Sequence, residues 1–355
     1  MTPVYLAGRA LASALGLTLD EALANLHNSA VPKSSAYSLI DHGDMPYQRV
    51  PTTGPEDWET RARTLVTQVA AEAGAEQARQ GVLFIATSCL DGDISANASR
   101  EMDFYALSRR IAAWLDWVGP VFVVSSACTS SMQAILSAIE WLRLGKASEA
   151  MVLGLELDNR LTLPGFAGLQ LLSPGVSQPF GRQRDGLVLG EAVAALRLST
   201  AQASPWVLQG GANVIDGTQP TGASASAVAL MCERALAASG RKAADVDLVK
   251  VQAAGSPGND AAEAEGLLAA FASMPALVSL KPLIGHCMGA SGSAEIALLL
   301  ECLERGYWPR VCDAPDPALG VQLAARVPLQ LNCILATILG FGGSHAAVVL
   351  ERSQL

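Results

Sequence analysis

Residues 121–131 read VFVVSSACTSS, an apolar strand pattern that runs without a break into a helix pattern. The junction leaves Cys128 in a tight turn at the start of the helix. Backbone N–H groups and the helix dipole stabilise an anion at such a position, so we expect a lowered thiol pKa and a nucleophilic role. An arbitrary cysteine is more often a small buried apolar side chain, but this context favours function.

A weak internal repeat relates this helix to a second one near the carboxyl end. Residues 130–145 align without gaps on residues 291–306, with five identical positions that are Ser, Ile, Glu, Leu and Gly. Each copy is an apolar helix that follows a reactive residue, Cys128 or His286, and ends at a glycine suited to a C-cap. The repeat predicts two similar halves whose helix N-termini lie close together; chance similarity of alanine- and leucine-rich helices is the alternative.

The rest of the chain alternates predicted strands with predicted helices. Residues 4–8 and 81–86 read as buried strands, and a capping box at residues 18–21 predicts a helix to about residue 27. Residues 31–60 are rich in Pro, Ser, Gly and Asp and predict a long irregular segment. The alternation predicts an α/β protein with a largely parallel sheet covered on both faces.

Composition narrows the class of function. The 355 residues carry a net charge of -9, and 50% of them are hydrophobic while 16% are charged. The acidic balance argues against nucleic acid and anionic membranes as partners, and the apolar content favours a subunit interface. The amino end lacks a signal-peptide pattern and no apolar run reaches membrane-spanning length, so we expect a cytoplasmic protein.

Cysteine and histidine usage gives no sign of a metal site. Seven cysteines occur without a CxxC pair, and the four histidines show no zinc-ligand spacing. The glycine loop at residues 340–345, GFGGSH, is not a phosphate-binding motif; it either connects strands or offers backbone N–H groups to an oxyanion. We expect no metal and no cofactor.

The motifs, taken in order, resemble those of the β-ketoacyl-acyl-carrier-protein synthases. They are SACTSS at residues 126–131, QPFGRQRDGLVLGE at 178–191, KPLIGHCMGASG at 281–292 and GFGGSH at 340–345. The resemblance implies a thiolase fold, with two pseudo-repeated βαβαβ halves at residues 1–200 and 201–355 in a layered α-β-α-β-α architecture. It also implies a dimer that condenses acyl and malonyl units carried on the phosphopantetheine of acyl carrier protein.

The resemblance assigns roles to the matching residues. Cys128 would take the acyl chain as a thioester, and His286 would help to decarboxylate the malonyl thioester and stabilise its enolate. Lys281 would hold the surrounding network. In the glycine loop, Phe341 would supply one oxyanion-hole N–H, beside that of Cys128, and would gate the acyl pocket together with Gly342.

One departure from the family pattern affects catalysis. Ala254 stands where the family carries a second histidine, and an alanine can neither donate to an enolate nor move a proton. His345 replaces the family's asparagine, and we expect a structural role for it. An acidic carrier protein would need a basic patch. Candidates for that patch are Arg61, Arg63, Arg100, Arg109 and Arg110.

Two classes of function follow from this pattern. In the first, the chain is the degenerate half of a ketosynthase heterodimer, similar to the chain-length factors of type II polyketide or aryl polyene systems; Ala254 favours this interpretation. In the second, it is a self-sufficient β-ketoacyl synthase or acyltransferase that forms a thioester on Cys128; the retained Cys128, Lys281 and His286 favour that one. A binding protein without thioester chemistry is a third alternative.

Overall fold

The computed structural model describes residues 2–28, 35–39, 43–52, 57–88, 103–158, 161–218, 220–309 and 314–353. Its strands are β1 (Tyr5–Ser13), β2 (Ser35–Leu39), β3 (Gly43–Gln48), β4 (Val82–Ala86), β5 (Val121–Val124), β6 (Glu149–Glu156), β7 (Leu189–Gly190), β8 (Ala192–Ser199), β9 (Trp206–Ile215), β10 (Leu248–Lys250), β11 (Ala276–Val278), β12 (Cys333–Leu339) and β13 (Ser344–Arg352). Its α-helices are α1 (Leu19–His27), α2 (Trp58–Glu72), α3 (Ala75–Ala78), α4 (Phe104–Trp114), α5 (Ser130–Arg143), α6 (Thr162–Gly168), α7 (Ala225–Ser239), α8 (Pro257–Ala270), α9 (Lys281–Ile284) and α10 (Ser291–Glu304).

The main sheet consists of two matching sets of five strands. One set has the order β5-β4-β6-β8-β1 and the other β11-β10-β12-β13-β9, and they join where Tyr5 of β1 pairs with Val207 of β9. In each set the two outer pairs are parallel and the two inner pairs antiparallel. This is the α/β architecture of two pseudo-repeated halves that the resemblance implies. The boundary at residue 200, between β8 and β9, remains a proposal.

The prediction of a largely parallel sheet was wrong. Strands β12 and β13 follow each other with only the glycine loop between them, and β8 and β9 follow each other without a helix. A parallel neighbour needs a long crossover connection, usually a helix, so β12 and β13 pair antiparallel. The strand and helix alternation read from sequence therefore holds only for part of each half.

Three apolar clusters fill the spaces between the layers. The central cluster contains the buried faces of α5 and α10, which lie between the two halves of the sheet. A second cluster lies under α2 and α4 on one outer face, and a third lies under α7 and α8 on the other. The result is the expected α-β-α-β-α layering. Among the described helices, none is long and apolar enough to cross a membrane.

The segment predicted to be irregular contains a small sheet. Strands β2 and β3 form an antiparallel hairpin, and β3 pairs in parallel with β7 through Tyr47 and Leu189. Tyr47 is buried because β7, from a distant part of the sequence, covers it. Residues 29–34, 40–42 and 53–56 lie outside the described residues.

The two helices of the internal repeat end in the same way. Gly145 and Gly306 follow α5 and α10 with φ of 66° and 71°, a left-handed conformation that favours glycine. The next amide then reaches back to close each helix, from Lys146 to Trp141 O at 3.2 Å and from Tyr307 to Cys302 O at 2.8 Å. The predicted C-caps are confirmed. The helix starts also lie together, as predicted, because Ser131 of α5 donates to the carbonyl of Gly289, which precedes α10.

Candidate active site

A strained turn places Cys128 between β5 and α5. Ala127 has a φ of +52°, which is uncommon for a residue with a Cβ. Local hydrogen bonds hold this turn: Ser126 N donates to Ser130 Oγ at 2.9 Å, and the Thr129 hydroxyl donates to Ser126 O at 2.8 Å. The turn directs the buried Cys128 side chain into the central cluster.

His286 meets the sulfur of Cys128 at this point. The distance from His286 Nε2 to Cys128 Sγ is 3.0 Å, and His286 Nδ1 lies 3.2 Å from Ser291 Oγ. The backbone of His286 is fixed as well, since its N–H donates to Val188 O at 2.7 Å and its carbonyl accepts from Gly190 N at 3.1 Å. The two residues that precede the repeat helices, Cys128 and His286, therefore form one pair.

The expected lowering of the Cys128 pKa was wrong. Burial raises the pKa of this thiol to about 11; the charge of Lys281 and the backbone N–H groups of Phe341 and Cys128 lower it by less than burial raises it. Burial, assisted by Lys281 and Lys250, holds the pKa of His286 well below its ordinary range. The resting pair is therefore a neutral thiol beside a neutral imidazole, and an attack by Cys128 would need a base such as His286 to take up the thiol proton.

Alkylation of Cys128 tests this protonation state. Because only the thiolate reacts with iodoacetamide and the thiol pKa is about 11, we expect the rate to rise about tenfold per pH unit between pH 7 and 10. Peptide mass spectrometry would follow the modified cysteine, with Cys128→Ala as the control. A rate that is already at its plateau near pH 7 would mean a lowered pKa and would contradict the geometry.

Lys281 lies behind the pair instead of in contact with the sulfur. Its ammonium forms an ion pair with Oε1 of Glu295, and Lys250 pairs with Oε2 of the same carboxylate at 2.8 Å. All three side chains are fully buried. Lys281 therefore lies in a buried ion-pair network with Glu295 and with Lys250, a second lysine that sequence reasoning did not single out. The catalytic role of Lys281 stays a prediction.

The glycine loop brings Phe341 to the site and turns Gly342 away. The backbone N–H of Phe341 is directed toward Cys128 Sγ, and the Phe341 ring stacks on Phe166 with centroids 5.0 Å apart. The N–H of Gly342 donates to Pro220 O at 2.8 Å, so it is not an oxyanion donor. Gly343 must be glycine, because its φ is +74° and a Cβ would collide with the carbonyl of Asp216.

Ala254 and His345 lie on different faces of the sheet. The Ala254 side chain belongs to the central cluster with Cys128, whereas Ala253 belongs to the outer cluster under α7 and α8. Along β13, Ala347 also faces the outer cluster, and side chains alternate between faces, so His345 points to the outer side. His345 is therefore not placed to replace the imidazole missing at position 254.

Sequence reasoning missed several residues of the site. Glu295 lay inside the repeat helix, where a carboxylate normally reads as an exposed position. Glu156 is fully buried; its carboxylate accepts from Ser88 N at 2.9 Å and Gly289 N at 2.8 Å, and burial raises its pKa to about 7. No local sequence signal distinguished either residue.

Comparisons with known proteins agree with the geometry. The family description "Beta-ketoacyl synthase, N-terminal domain" matches residues 61–204, and "Beta-ketoacyl synthase, C-terminal domain" matches residues 206–314. Nodulation protein E of Rhizobium leguminosarum bv. trifolii is 27% identical over 70% of this chain and 65% of its own length. The chloroplastic 3-oxoacyl-acyl-carrier-protein synthase II of Arabidopsis thaliana is 27% identical over 68% of this chain and 49% of its own length. The chain spans only 6% of erythronolide synthase EryA2 of Saccharopolyspora erythraea, at 36% identity.

Solved structures share the fold at low identity. A ketosynthase (ApeO) in complex with its chain length factor (ApeC) from Xenorhabdus doucetiae matches with a TM-score of 0.84 at 24% identity, over 99% of this chain and 98% of that chain. The ishigamide ketosynthase/chain length factor matches with a TM-score of 0.86 at 20% identity, over 99% of both chains. Together with the two family matches, which span most of the sequence, these similarities show that the chain belongs to the β-ketoacyl synthase family and has the thiolase fold.

Proposed function

We propose that this chain is a β-ketoacyl synthase-type subunit of a fatty acid or polyketide chain-elongation system, of the type II or aryl polyene kind. It acts as the degenerate, chain-length-setting partner of a homologous ketosynthase. The observation that carries the proposal is Ala254, which lies in the central cluster with Cys128 and offers no second imidazole. Loss of one preorganised donor costs about 100- to 1,000-fold in rate.

The remaining groups support partial chemistry. His286 can accept the Cys128 proton across 3.0 Å, and the backbone N–H of Phe341 points toward the sulfur, where a thioester oxyanion would form. Without a second imidazole, the enolate that follows decarboxylation has one donor fewer. The chain alone is therefore a weak decarboxylase, and condensation takes place on the partner.

The free edge of strand β5 is the proposed docking surface for the partner. Among the described strands, β5 has a sheet neighbour on one side only. Phe122 on this strand is 40% exposed, and its ring lies 5.5 Å from that of Phe84 and 5.2 Å from that of Trp141. An exposed apolar edge strand pairs readily with another chain. Two of the similar structures are described as a ketosynthase with a chain length factor.

Carrier-protein docking is the second proposed interaction. One similar structure is described as a type II polyketide acyl-carrier protein in complex with its ketosynthase. Of the candidate arginines, Arg61 is excluded because it is buried and paired with Glu191. Arg110 forms an ion pair with Glu59. Both Arg63 and Arg109 are exposed, and Arg100 lies outside the described residues.

A second candidate function is a self-sufficient β-ketoacyl synthase or acyltransferase. The contact of Cys128 with His286 favours it, since a subunit that only shapes a tunnel has no use for an aligned base and thiol. Under this alternative, the purified chain would form an acyl thioester on Cys128 and complete condensation without any partner.

Native mass spectrometry with a homologous ketosynthase tests the partner proposal. We expect a one-to-one complex that Phe122→Glu abolishes. Complex formation would bury the new carboxylate among apolar side chains, with neither a hydrogen-bond donor nor an opposite charge to compensate it. Leu329→Glu is the control, since Leu329 is 99% exposed and lies far along the chain from β5. A chain that stays apart from the ketosynthase and condenses by itself would contradict the proposal.

A further inference from the structure

Lys250 and Lys281 pair with the two different oxygens of one buried carboxylate, that of Glu295. The ammonium of Lys250 donates to Oε2 of Glu295 at 2.8 Å and to the carbonyl of Thr337 at 2.6 Å. The ammonium of Lys281 donates to Oε1 of Glu295. Two lysines from separate elements, β10 and α9, thus share one carboxylate on α10.

The group carries a net positive charge in the interior. With both lysines protonated, two ammonium groups and one carboxylate sum to +1, a charge that is costly to bury. Burial accordingly lowers the pKa of Lys250, although the negative charge of Glu295 opposes this shift, so the excess positive charge is lost as pH rises. The nearby carboxyl of Glu263 on α8 accepts from Thr337 Oγ1 at 3.1 Å and from Gln252 N at 2.8 Å. Burial raises the pKa of Glu263 to about 7, so near neutral pH it compensates the excess charge only in part.

This charge acts on the reacting pair. Lys281 lowers the pKa of both Cys128 and His286, and Lys250 lowers that of His286. Glu156 on β6 acts in the opposite direction on Cys128. Any change in how far Glu295 neutralises the charge of Lys281 therefore changes the pKa of the Cys128 thiol.

We propose that Lys250 is a positioning residue of the site: by sharing Glu295 it leaves Lys281 incompletely neutralised, so that Lys281 supplies positive charge for an anion formed at Cys128. Lys250 lies on β10, four residues before Ala254. The inference rests on the proposed function only in taking Cys128 as the reacting thiol.

The rate of Cys128 alkylation against pH measures this effect directly. In Lys250→Met, Glu295 is left to Lys281 alone and the net charge falls to zero. The profile is expected to move by about one unit to higher pH, which is about tenfold slower reaction at a fixed pH. Lys242→Met, the same change at an exposed lysine, is expected to leave the profile in place.

A second pair of variants separates charge from packing. Glu295→Gln alone raises the net charge to +2 and is expected to move the profile to lower pH. Adding Glu295→Gln to Lys250→Met restores +1 and is expected to return the profile to that of the unmodified chain. An unchanged profile in Lys250→Met, or no return in the double variant, would overturn the inference.

The readout needs no carrier protein, partner or turnover. The alkylation profiles do not depend on whether the chain binds a ketosynthase, and complex formation does not depend on the charge of Lys250. The two proposals can therefore fail independently of each other. If Lys250→Met does not fold, Lys250→Gln takes its place, since an amide can still donate to Glu295 and to the carbonyl of Thr337 without the charge, and the same shift to higher pH is expected.

Discussion

Ala254→His is expected to raise the rate at which the chain decarboxylates malonyl-acyl-carrier protein by about 100- to 1,000-fold. The new imidazole would enter the central cluster that holds Cys128, on the face of the sheet where the site lies. There it would donate to the enolate oxygen, as the resemblance implies for the histidine that the family carries at this position. Decarboxylation converts the malonyl thioester on the carrier protein into an acetyl thioester. Mass spectrometry of the carrier protein measures the rate of this conversion.

Two variants control for the change in volume and for the face of the sheet. Ala254→Leu fills similar space without a donor and is expected to give no gain. Ala253→His places the same ring in the outer cluster and is also expected to give none. Equal rates for Ala254→His and Ala254→Leu would show that the missing imidazole does not limit this site.

His286→Ala is expected to slow acyl transfer from acyl carrier protein to Cys128 by about 100- to 10,000-fold near pH 7. With a thiol pKa of about 11, hardly any thiolate exists at neutral pH, so attack depends on the imidazole 3.0 Å away. Intact-mass measurement of the acylated chain follows the reaction. The deficit should shrink as pH rises toward 11, because the thiolate then forms without a base.

His345, the histidine of the glycine loop, provides the matched control. His345→Asn restores the residue that the family carries and changes a side chain on the outer face of the sheet. It is expected to leave acyl transfer within about twofold of the unmodified rate, as for most substitutions away from a reacting group. A loss at His345 equal to that at His286 would mean that the two faces are coupled and that the site is assigned wrongly.

Sequence motifs predicted the structural features that are determined by residues close together in the sequence. The strand-to-helix junction at Cys128, the two repeat helices and their glycine caps follow from periodicity and from the conformational freedom of glycine. The approach of Cys128 to His286 followed from the repeat, because similar halves bring equivalent helix ends together.

Long-range packing explains what the sequence did not reveal. The pKa of Cys128 was predicted in the wrong direction because burial outweighs the backbone N–H groups and the charge of Lys281, and depth of burial has no local signal. The small sheet around Tyr47 depends on β7, more than a hundred residues away. Lys250 and Glu295 lie 45 residues apart in the sequence and meet only in the folded chain, so no local pattern linked them.

Condensation by the mixed complex distinguishes a partner subunit from a free-standing enzyme. This chain carrying Cys128→Ala would be combined with an unmodified homologous ketosynthase, and product formation and acyl length would be followed by mass spectrometry. We expect elongation to continue at a comparable rate, and we expect the chain without its partner to make no condensed product. Loss of elongation in the complex, together with condensation by this chain alone, would contradict the partner proposal.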